Sequence, residues 1–230
     1  MTGSGKLVDA LIGLLLRILC RVYGEEISKV PKHGPLILVT NHVNFLEAPV
    51  LHRHLRPRKV IGLAKAEAWE HPILRWLFDQ WEAIPIRRGE PDVTAIRRAL
   101  AVLKQRGILG LAPEGTRSGH GRLQRGHPGM VTIALRSRAP LLPLAFHGGE
   151  AFHRNLRRLR RTPFHIHVGD PFRIEPPTGR ITTDLRQRIA DEIMYRLAAL
   201  LPEEYHGEYA EPGTTTEEFL RPLEPVAEFT

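Results

Sequence analysis

The stretch "PLILVTNHVNFLEAP" (residues 35–49) joins a short apolar segment to a polar turn. An apolar run of this length, bounded by Pro35 and by polar residues, is typical of a strand that is buried in a sheet. His42 follows the run almost at once, and Glu47 comes five residues later. Because ligands bind beyond the carboxyl ends of the strands in open α/β sheets, this turn is the first candidate for a functional site.

Segments of the same kind recur along the chain and alternate with helical patterns. In residues 92–107, Asp92 is a candidate N-cap, apolar residues recur on one helical face, and Gly107 ends the pattern. Similar patterns cover residues 128–138 and 182–200. This alternation predicts an α/β domain with a mixed, largely parallel sheet covered by helices. The predicted strands are residues 35–40, 60–64, 83–86, 108–112, 141–146 and 164–169.

Length and composition indicate a globular protein with excess positive charge. The 230 residues are 42% hydrophobic and 25% charged, and the net charge is +8. Residues 206–230 hold six acidic residues and one arginine, so the rest of the chain is more basic still. Such a surface attracts phosphate-bearing substrates, anionic membranes or nucleic acid, and charge alone does not choose among them. The single cysteine, Cys20, excludes an intramolecular disulfide and fits a reducing compartment.

The first part of the chain, residues 6–23, has the length and pattern of an amphipathic helix. Charged residues Asp9 and Arg17 interrupt its apolar run too early for the ~20 apolar residues of a spanning helix. We predict a helix that lies in a membrane interface with its polar stripe outward, and packing on its own domain is the alternative. The polar stripe consists of Asp9, Gly13, Arg17 and Arg21.

These patterns divide the chain into three parts. Residues 1–24 hold the amphipathic helix for membrane docking, and residues 25–205 form the main domain. Residues 206–230 are rich in Gly, Pro, Thr and Glu and have no periodicity. This last part is predicted to be an acidic, flexible tail.

His42 and Glu47 have the residue types of a base and its orienting carboxylate. On a continuous helix, a spacing of five places two side chains about 140° apart, so they would not meet. They meet if His42 lies in the turn and Glu47 lies on the first turn of a helix that bends back. A carboxylate on one ring nitrogen then leaves the other nitrogen to act as a general base. The alternative is a polar turn followed by an acidic helix N-terminus.

A second polar segment, "APEGTRS" (residues 112–118), follows the predicted strand at 108–112. Gly115 frees the backbone, and Thr116, Ser118 and Arg117 supply donors, so the segment could cradle a phosphate or an oxyanion. Arg87 and Arg88 lie at the end of another predicted strand. If the strands are parallel neighbours, all three polar segments converge on one sheet edge. An ordinary turn and solvated arginines are the alternative.

Four segments occur in a fixed order: "NHVNFLEAP" (41–49), "IPIRRGEPD" (84–92), "APEGTRS" (112–118) and "APLLPLAFHG" (139–148). Their order and spacing resemble the four blocks of the glycerolipid acyltransferase family, which includes lysophosphatidic acid acyltransferase. The similarity covers roughly residues 20–200. It implies an α/β domain whose N-terminal helices dock on a membrane, in agreement with the pattern of the residues themselves.

The resemblance also implies a role for individual residues. His42 matches the catalytic base that deprotonates an acceptor hydroxyl for direct attack on an acyl thioester, and Glu47 matches the carboxylate beside it. Pro140 and Pro143 match the fourth block, which is tied to acyl-donor binding or to shape. The positions that match phosphate-binding residues, together with the neighbouring hydroxyl, are Arg88, Glu114, Gly115, Thr116 and Arg117.

The chain departs from the family pattern at three positions. Glu47 stands where the family has aspartate, which keeps the charge and adds one methylene. Asn44 replaces a common serine, and Ala112 replaces a common phenylalanine. These departures bear on the acceptor and the rate more than on the type of reaction.

Other signals carry less weight. The chain has no G-x-S-x-G or other motif of a covalent nucleophile, which favours direct transfer. His52/His54 and His165/His167 could ligate a metal, but twelve histidines in a basic chain favour surface positions, and we predict no metal and no cofactor. In "FHRNLRRLRR" (152–161), arginines 154, 157, 158 and 161 would share one helical face, which suits an anionic membrane or is simply solvated. No motif supports nucleic-acid binding.

The sequence therefore predicts a peripheral or monotopic acyltransferase at the cytoplasmic face of a membrane. It would move a fatty acyl group from acyl-CoA or acyl carrier protein to the sn-2 hydroxyl of 1-acyl-sn-glycerol 3-phosphate, which gives phosphatidic acid. Its expected partners are the acyl donor, the lysophospholipid and an anionic membrane surface, and not nucleic acid. The alternatives are another lysolipid or glycolipid acceptor, or a lipid-binding protein without enzymatic activity.

Overall fold

The computed structural model describes residues 3–87, 92–176, 178–211 and 217–223, with side chains from residue 10 onward. The helices are α1 (Gly3–Leu19), α2 (Glu47–His54), α3 (Pro72–Gln80), α4 (Val93–Lys104), α5 (Gly129–Ser137), α6 (Phe152–Arg157) and α7 (Thr183–Ala198). The strands are β1 (Cys20–Tyr23), β2 (Leu36–Thr40), β3 (Val60–Lys65), β4 (Ile84–Ile86), β5 (Ile108–Leu111), β6 (Leu141–His147), β7 (Thr162–Val168), β8 (Phe172–Ile174) and β9 (Leu220–Pro222).

Within these residues the strands form one mixed sheet in the order β1-β7-β6-β2-β5-β3-β4, and β8 and β9 pair at the side of β6. The neighbours from β6 through β2, β5 and β3 to β4 are all parallel. Strand β7 is antiparallel to β6, and β1 is parallel to β7. The predicted mixed, largely parallel α/β sheet is confirmed. The carboxyl ends of β2 to β6 therefore meet at one sheet edge, where the polar segments begin.

Both faces of the sheet are covered by helices, which explains the continuous apolar run in β2. Ile37 and Val39 point to a core formed with α4, α5 and α7. Leu36 and Leu38 point to a second core on the opposite face, formed with α1, α2 and α6. All five residues of β2 are buried. A strand buried on both faces reads as an unbroken apolar segment rather than as an alternating one.

The N-terminal helix ends earlier than the sequence pattern suggests, and only part of its predicted polar stripe faces solvent. It ends at Leu19, and the next four residues form β1, which pairs with β7 from Cys20 opposite Thr162 onward. Gly13, a member of the predicted outward stripe, is buried because the Arg53 guanidinium of α2 packs 3.1 Å from the position that a Cβ would take. Arg17 of the same stripe is exposed, and the helix also presents four apolar side chains to solvent, namely Leu11, Leu14, Leu15 and Ile18.

The C-terminal segment differs from the predicted flexible tail in the parts that the structure describes. Strand β9 pairs with β8, and Phe219 and Leu220 are buried in the core that contains α7. Tyr209 is buried as well. Three large apolar side chains in a polar segment suffice to anchor it, because each removes a large area from water. Residues 212–216 and 224–230 lie outside the described residues.

Among the described residues, no helix combines the length and the apolar character that crossing a membrane requires.

Candidate active site

Two loops that leave neighbouring strands meet at the carboxyl edge of the sheet. The loop after β2 carries His42, and the loop after β5 carries the segment 113–118. The backbone N–H of Ser118 donates to the carbonyl of His42 at 2.8 Å, and that of Gly119 donates to the carbonyl of Val43 at 3.0 Å. The strand order places β2 beside β5, so two segments that are distant in sequence form one surface.

His42 and Glu47 lie in contact. Nδ1 of His42 is 3.0 Å from Oε2 of Glu47, and the same carboxylate accepts the backbone N–H of Asn44 at 3.0 Å. Glu47 is the first residue of α2, and the chain turns back before it, as the contact requires. Because an ionised carboxylate only accepts hydrogen bonds, this contact favours the His42 tautomer that carries its proton on Nδ1 and leaves Nε2 as an acceptor. The His42 side chain is 25% exposed and that of Glu47 is 5% exposed, so the ring reaches the surface while its partner is buried.

Glu114 connects the two loops from the inside. One oxygen of its carboxylate accepts the backbone N–H of His42 at 2.8 Å, and the other accepts that of Gln124 at 3.1 Å. The residue is only 2% exposed. Burial raises the pKa of Glu114 to about 7, the charge of Glu47 adds to this, and the two N–H groups oppose it. The carboxylate therefore faces the loops and not the open surface, which differs from its predicted contact with substrate.

Two asparagines that were not among the predicted site residues hold the same loop. Asn41 is 1% exposed, donates to the carbonyl of Phe146 at 2.8 Å and accepts the N–H of Phe146 at 2.7 Å. Asn44 donates to the carbonyl of Gly149 at 2.7 Å and accepts the N–H of Leu46 at 2.8 Å. Both therefore tie the His42 loop to the end of β6 and the turn after it. The available signal was an amide side chain at the end of a buried strand, where backbone groups need partners.

The other predicted substrate-binding residues have different settings. Gly115 has a φ of +65°, and a Cβ there would lie 3.0 Å from the His127 ring, so the turn requires glycine. Thr116 and Arg117 are exposed beside the His42 loop. Arg88 lies outside the described residues, and its neighbour Arg87 is exposed at the end of β4. The structure thus brings His42, Glu47 and the 113–118 loop together. It leaves Thr116 and Arg117 exposed to solvent.

A protein-family model matches the part of the chain that carries His42, Glu47 and Glu114. The model, described as Acyltransferase, matches residues 20–147, which is more than half of the chain and spans all of β1 to β6. The chain belongs to the acyltransferase family. It is an O-acyltransferase of the glycerolipid type that the four sequence blocks predicted.

Named relatives of this acyltransferase point the same way. A 1-acyl-sn-glycerol-3-phosphate acyltransferase of Limnanthes alba is 28% identical over 199 residues, which is 85% of this chain and 69% of that protein. The protein of the same name from Bacillus subtilis is 29% identical over 59% of this chain and 66% of its own length. A lyso-ornithine lipid O-acyltransferase of Pseudomonas aeruginosa is 32% identical over 54% of this chain and 46% of its own length.

The fold also has a solved counterpart. The crystal structure of the 1-acyl-sn-glycerophosphate acyltransferase from Thermotoga maritima superposes with a TM-score of 0.60, at 22% identity, over 85% of this chain and 78% of that one. The α/β architecture is therefore that of a known acyltransferase.

The C-terminal segment of the acyltransferase braces the loop that carries Glu114. The backbone N–H of Leu123 donates to the carbonyl of Tyr205 at 2.9 Å, and that of Glu208 donates to the carbonyl of Leu123 at 3.1 Å. The Tyr209 hydroxyl accepts the N–H of Gly126 at 2.9 Å. The loop after β5 is thus held between the His42 loop and residues 205–209. The acidic composition of this segment gave no signal for such a role.

The remaining candidates are the two prolines of the fourth block and the paired histidines. Pro140 and Pro143 of the fourth block are buried, and Pro143 pairs with Val39 inside the sheet. They therefore contribute to the shape of the sheet. His165 and His167 of β7 stack on His147, the last residue of β6, and therefore lie near the carboxyl end of that strand. Across the described residues, no three His, Cys, Asp or Glu side chains are grouped so that they could hold a metal ion.

Proposed function

We propose that this acyltransferase transfers a fatty acyl group from an acyl thioester to the sn-2 hydroxyl of 1-acyl-sn-glycerol 3-phosphate, which gives phosphatidic acid. The donor would be acyl-CoA or acyl carrier protein. The observation that carries the proposal is the 3.0 Å contact between His42 Nδ1 and buried Glu47, which leaves Nε2 of a partly exposed ring as an acceptor. The names of the relatives support the choice of acceptor.

In this mechanism His42 acts as a general base. Its Nε2 takes the proton of the acceptor hydroxyl as the hydroxyl oxygen forms a bond to the thioester carbonyl carbon. The tetrahedral intermediate then breaks its bond to sulfur, and the proton on Nε2 passes to the leaving thiolate. Glu47 accepts the hydrogen bond from the Nδ1–H group, which holds the ring in one tautomer. Its negative charge also stabilises the positive charge that forms on the imidazole ring. Glu114 acts as a positioning residue, because it holds the backbone of His42.

The transfer needs no acyl-enzyme intermediate. Ser118 lies in the loop beside His42, but its hydroxyl accepts the backbone N–H of Gly121 at 3.2 Å. Cys20 is buried at the start of β1, and burial raises the pKa of its thiol, which opposes formation of a thiolate. Neither side chain is paired with His42. The acceptor oxygen itself is therefore the nucleophile in the proposed reaction.

The acceptor phosphate would bind at the exposed side of the 113–118 loop. Arg117 and Thr116 supply an exposed guanidinium and hydroxyl in this loop, whose Ser118 N–H is hydrogen-bonded to the His42 carbonyl. A guanidinium is permanently charged and matches the geometry of a phosphate with two parallel donors. Arg88 is proposed to add to this site from the end of β4, on the resemblance of its sequence block. The contact with lipid would be made by the exposed leucines of α1 at the cytoplasmic face of the membrane.

A lyso-ornithine lipid is the second candidate acceptor, because one relative with 32% identity carries that name. A glycolipid acceptor is a further variant of the same chemistry. Both acceptors would use His42 and Glu47 in the same way. They would differ from the proposed acceptor in the group that Arg117 contacts.

The proposal is tested with purified protein, labelled acyl-CoA or acyl carrier protein, and a panel of acceptors, with the products identified by mass. The panel contains 1-acyl-sn-glycerol 3-phosphate, the same lipid without phosphate, and a lyso-ornithine lipid. We expect phosphatidic acid as the main product, and a large loss of rate with the acceptor that lacks phosphate. A higher rate with lyso-ornithine lipid would replace the proposed acceptor. Vesicle binding without any turnover would instead indicate a lipid-binding protein.

A further inference from the structure

The turn that follows α6 exposes a leucine in an unfavourable backbone conformation. We call residues 156–160 the α6 turn. Leu159 is 95% exposed and has a φ of +52°, a region that bulky residues rarely adopt. The turn is well formed, because the N–H of Leu159 donates to the carbonyl of Leu156 and that of Arg160 donates to the carbonyl of Asn155. A side chain that is held so far from the core gains nothing from burial in the free protein.

Arginines surround this leucine. Arg157, Arg158 and Arg160 are exposed, and residues 152–161 contain no acidic side chain. Leu156, one turn earlier, is 42% exposed. The sequence pattern predicted a single helical face that includes Arg161, but α6 ends at Arg157 and Arg161 points elsewhere. The result is a leucine at the tip of a basic turn rather than a basic stripe along a helix.

Helix α6 and the residues around its turn make contacts both to the end of α1 and to the loop of His42. The Arg161 guanidinium donates to the carbonyl of Cys20, directly after α1, at 2.6 and 3.1 Å. At the other end of α6, the ring of Phe152 meets the edge of Phe45 at a centroid distance of 5.4 Å. Phe45 is 44% exposed and lies three residues after His42. Both α1 and α6 pack on the same core, on one face of the sheet.

Exposed apolar side chains are concentrated on this part of the surface. Of the large hydrophobic residues that the described chain exposes, only Val93 belongs to α4, α5 or α7, the helices of the opposite sheet face. Leucines and an isoleucine of α1, Phe45, and the two leucines of α6 and its turn account for most of the others. A surface with apolar tips and flanking arginines fits the boundary between lipid head groups and acyl chains.

We propose that the α6 turn is a second membrane contact, which inserts Leu159 into the surface of an anionic phospholipid bilayer while Arg157, Arg158 and Arg160 bind lipid phosphates. With α1 it forms two points of contact on the sheet face that also carries α2, whose first residue is Glu47. The proposal rests on the proposed function in that the acceptor is a lipid in that bilayer. Nucleic acid fits less well, because a leucine at the tip offers phosphates nothing and the turn has no aromatic side chain to stack on bases.

The insertion is tested with a dye that reports a change from water to lipid. Cys20 is the single cysteine and is buried, so Leu159→Cys can be labelled selectively with an environment-sensitive fluorophore. Ala101→Cys, on the exposed side of α4, is the matched control. We expect a blue shift for the label at 159, and none at 101, on vesicles of phosphatidylcholine with phosphatidylglycerol. Equal spectra for the two positions would overturn the proposal.

Binding to the same vesicles is measured for two further variants. Leu159→Asn removes the apolar tip and suits a positive φ, and it should weaken binding about 10-fold. Changing Arg157, Arg158 and Arg160 to Gln should weaken binding roughly 10- to 100-fold, with little change on phosphatidylcholine alone. Changing Arg97, Arg98 and Lys104 of α4 to Gln removes the same charge from the opposite sheet face and should leave binding near that of the wild type.

An equal loss of vesicle binding in the α4 variant would assign binding to net charge and contradict the proposal. The proposal would also be contradicted if the α6-turn variants lost retention of duplex DNA while their vesicle binding was unchanged. Acyl transfer is measured separately with acceptor dispersed in non-ionic detergent, where the α6-turn variants should keep the wild-type rate. A protein that binds vesicles through the α6 turn but transfers no acyl group would sink the proposed function alone. Normal transfer with unaltered vesicle binding would sink the membrane contact alone.

Discussion

Glu47 has one methylene more than the aspartate that the family pattern has at this position, and the fold accommodates it. Its carboxylate reaches His42 Nδ1 and the backbone N–H of Asn44 from the first residue of α2. An aspartate at the same Cα would withdraw its oxygens by about 1.5 Å, the length of one C–C bond. In this protein the longer side chain therefore makes the contact with His42 that orients the ring.

Changing Glu47 to Gln should lower kcat by about 10²–10⁴-fold, because the amide neither stabilises the imidazolium nor selects the productive tautomer. Glu47→Asp should give a smaller loss of about 10–100-fold, since the charge remains but lies too far away. Steady-state kinetics with varied acceptor should show both losses in kcat with little change in KM. A Gln variant with wild-type kcat would rule out an orienting role for this residue.

Changing Glu114 to Gln should also lower kcat, by roughly 10–100-fold, although the residue is buried and does not face the acceptor. A Gln amide keeps one acceptor and turns a donor toward one of the two N–H groups, so the His42 backbone shifts. The free energy of unfolding should fall by about 1–3 kcal/mol. Glu67→Gln, at an exposed position before α3, is the control and should change neither quantity.

The pH dependence of stability gives a second measure for Glu114. Its pKa is raised to about 7 in the folded protein from 4.5, so the folded state holds the proton more tightly. Wild-type stability should therefore lose this contribution as the pH rises from 4.5 through 7, and the loss should be absent in Glu114→Gln. Chemical unfolding at several pH values compares the two proteins, and identical slopes would contradict the assignment.

At the scale of elements, the stack between α2 and the end of α3 links stability to pH in the opposite direction. The His52 ring of α2 stacks on Trp81 at a centroid distance of 4.5 Å. Burial, helped by the charge of Lys59, lowers the pKa of His52 to about 4 from 6.5. The folded protein therefore favours the neutral His52 ring, and protonation of His52 favours the unfolded chain.

Lowering the pH from 6.5 to 4 should destabilise the protein through His52, because the unfolded state binds the proton first. The expected contribution is about 2–3 kcal/mol, since one pKa unit corresponds to about 1.4 kcal/mol. His52→Phe keeps an aromatic ring on Trp81 and cannot titrate, so it should lose less stability over this range than the wild type. Unfolding by denaturant at both pH values measures the difference, and an equal loss in both proteins would contradict the assignment to His52.

Most elements could be predicted from the sequence, and the exceptions have physical causes. Strands β2 to β7 and helices α4, α5 and α7 follow from apolar runs, N-caps and glycines. Residues 20–23 were assigned to the first helix because their apolar character continues its pattern, and only the pairing with β7 makes them a strand. Strand β9 has three residues in an acidic segment, and its edge pairing with β8 is a tertiary interaction that a local pattern does not carry.

The candidate site shows the same division. The residue types and spacing in "NHVNFLEAP" and "APEGTRS" identified His42, Glu47 and the loop beside them. The inward direction of Glu114 depends on which backbone N–H groups surround it, which spacing does not reveal. Asn41 and Asn44 were missed for the same reason, because their partners lie about 105 residues away in the chain.

At the scale of the whole molecule, segments that are far apart in sequence pack on the two faces of the sheet. Helix α1 and the α6 turn lie on one sheet face, and the segment 205–209 braces the loop of Glu114 through Leu123. Gly207 has a φ of +55°, and a Cβ there would lie 2.1 Å from the Leu123 carbonyl oxygen. The contact between this segment and the loop is thus close enough to require glycine.

Changing Gly207 to Ala should destabilise the protein by about 2 kcal/mol or more and should lower the rate of acyl transfer, because the brace must move away from the loop. Gly129→Ala is the control, since a Cβ at that helix position meets nothing within 4 Å. Thermal unfolding and transfer rate are measured for both variants. Equal behaviour of the two alanines would show that the C-terminal segment is only loosely attached.

The central claim is that His42 is the base in direct acyl transfer, and the rate of the His42→Ala variant tests it most directly. Purified His42→Ala is compared with wild type and with His54→Ala, a change at an exposed histidine of α2, in acyl transfer to 1-acyl-sn-glycerol 3-phosphate. We predict that His42→Ala retains its unfolding temperature and loses about 10²–10⁴-fold in kcat, while His54→Ala is unaffected. Transfer by His42→Ala at the wild-type rate would contradict the account.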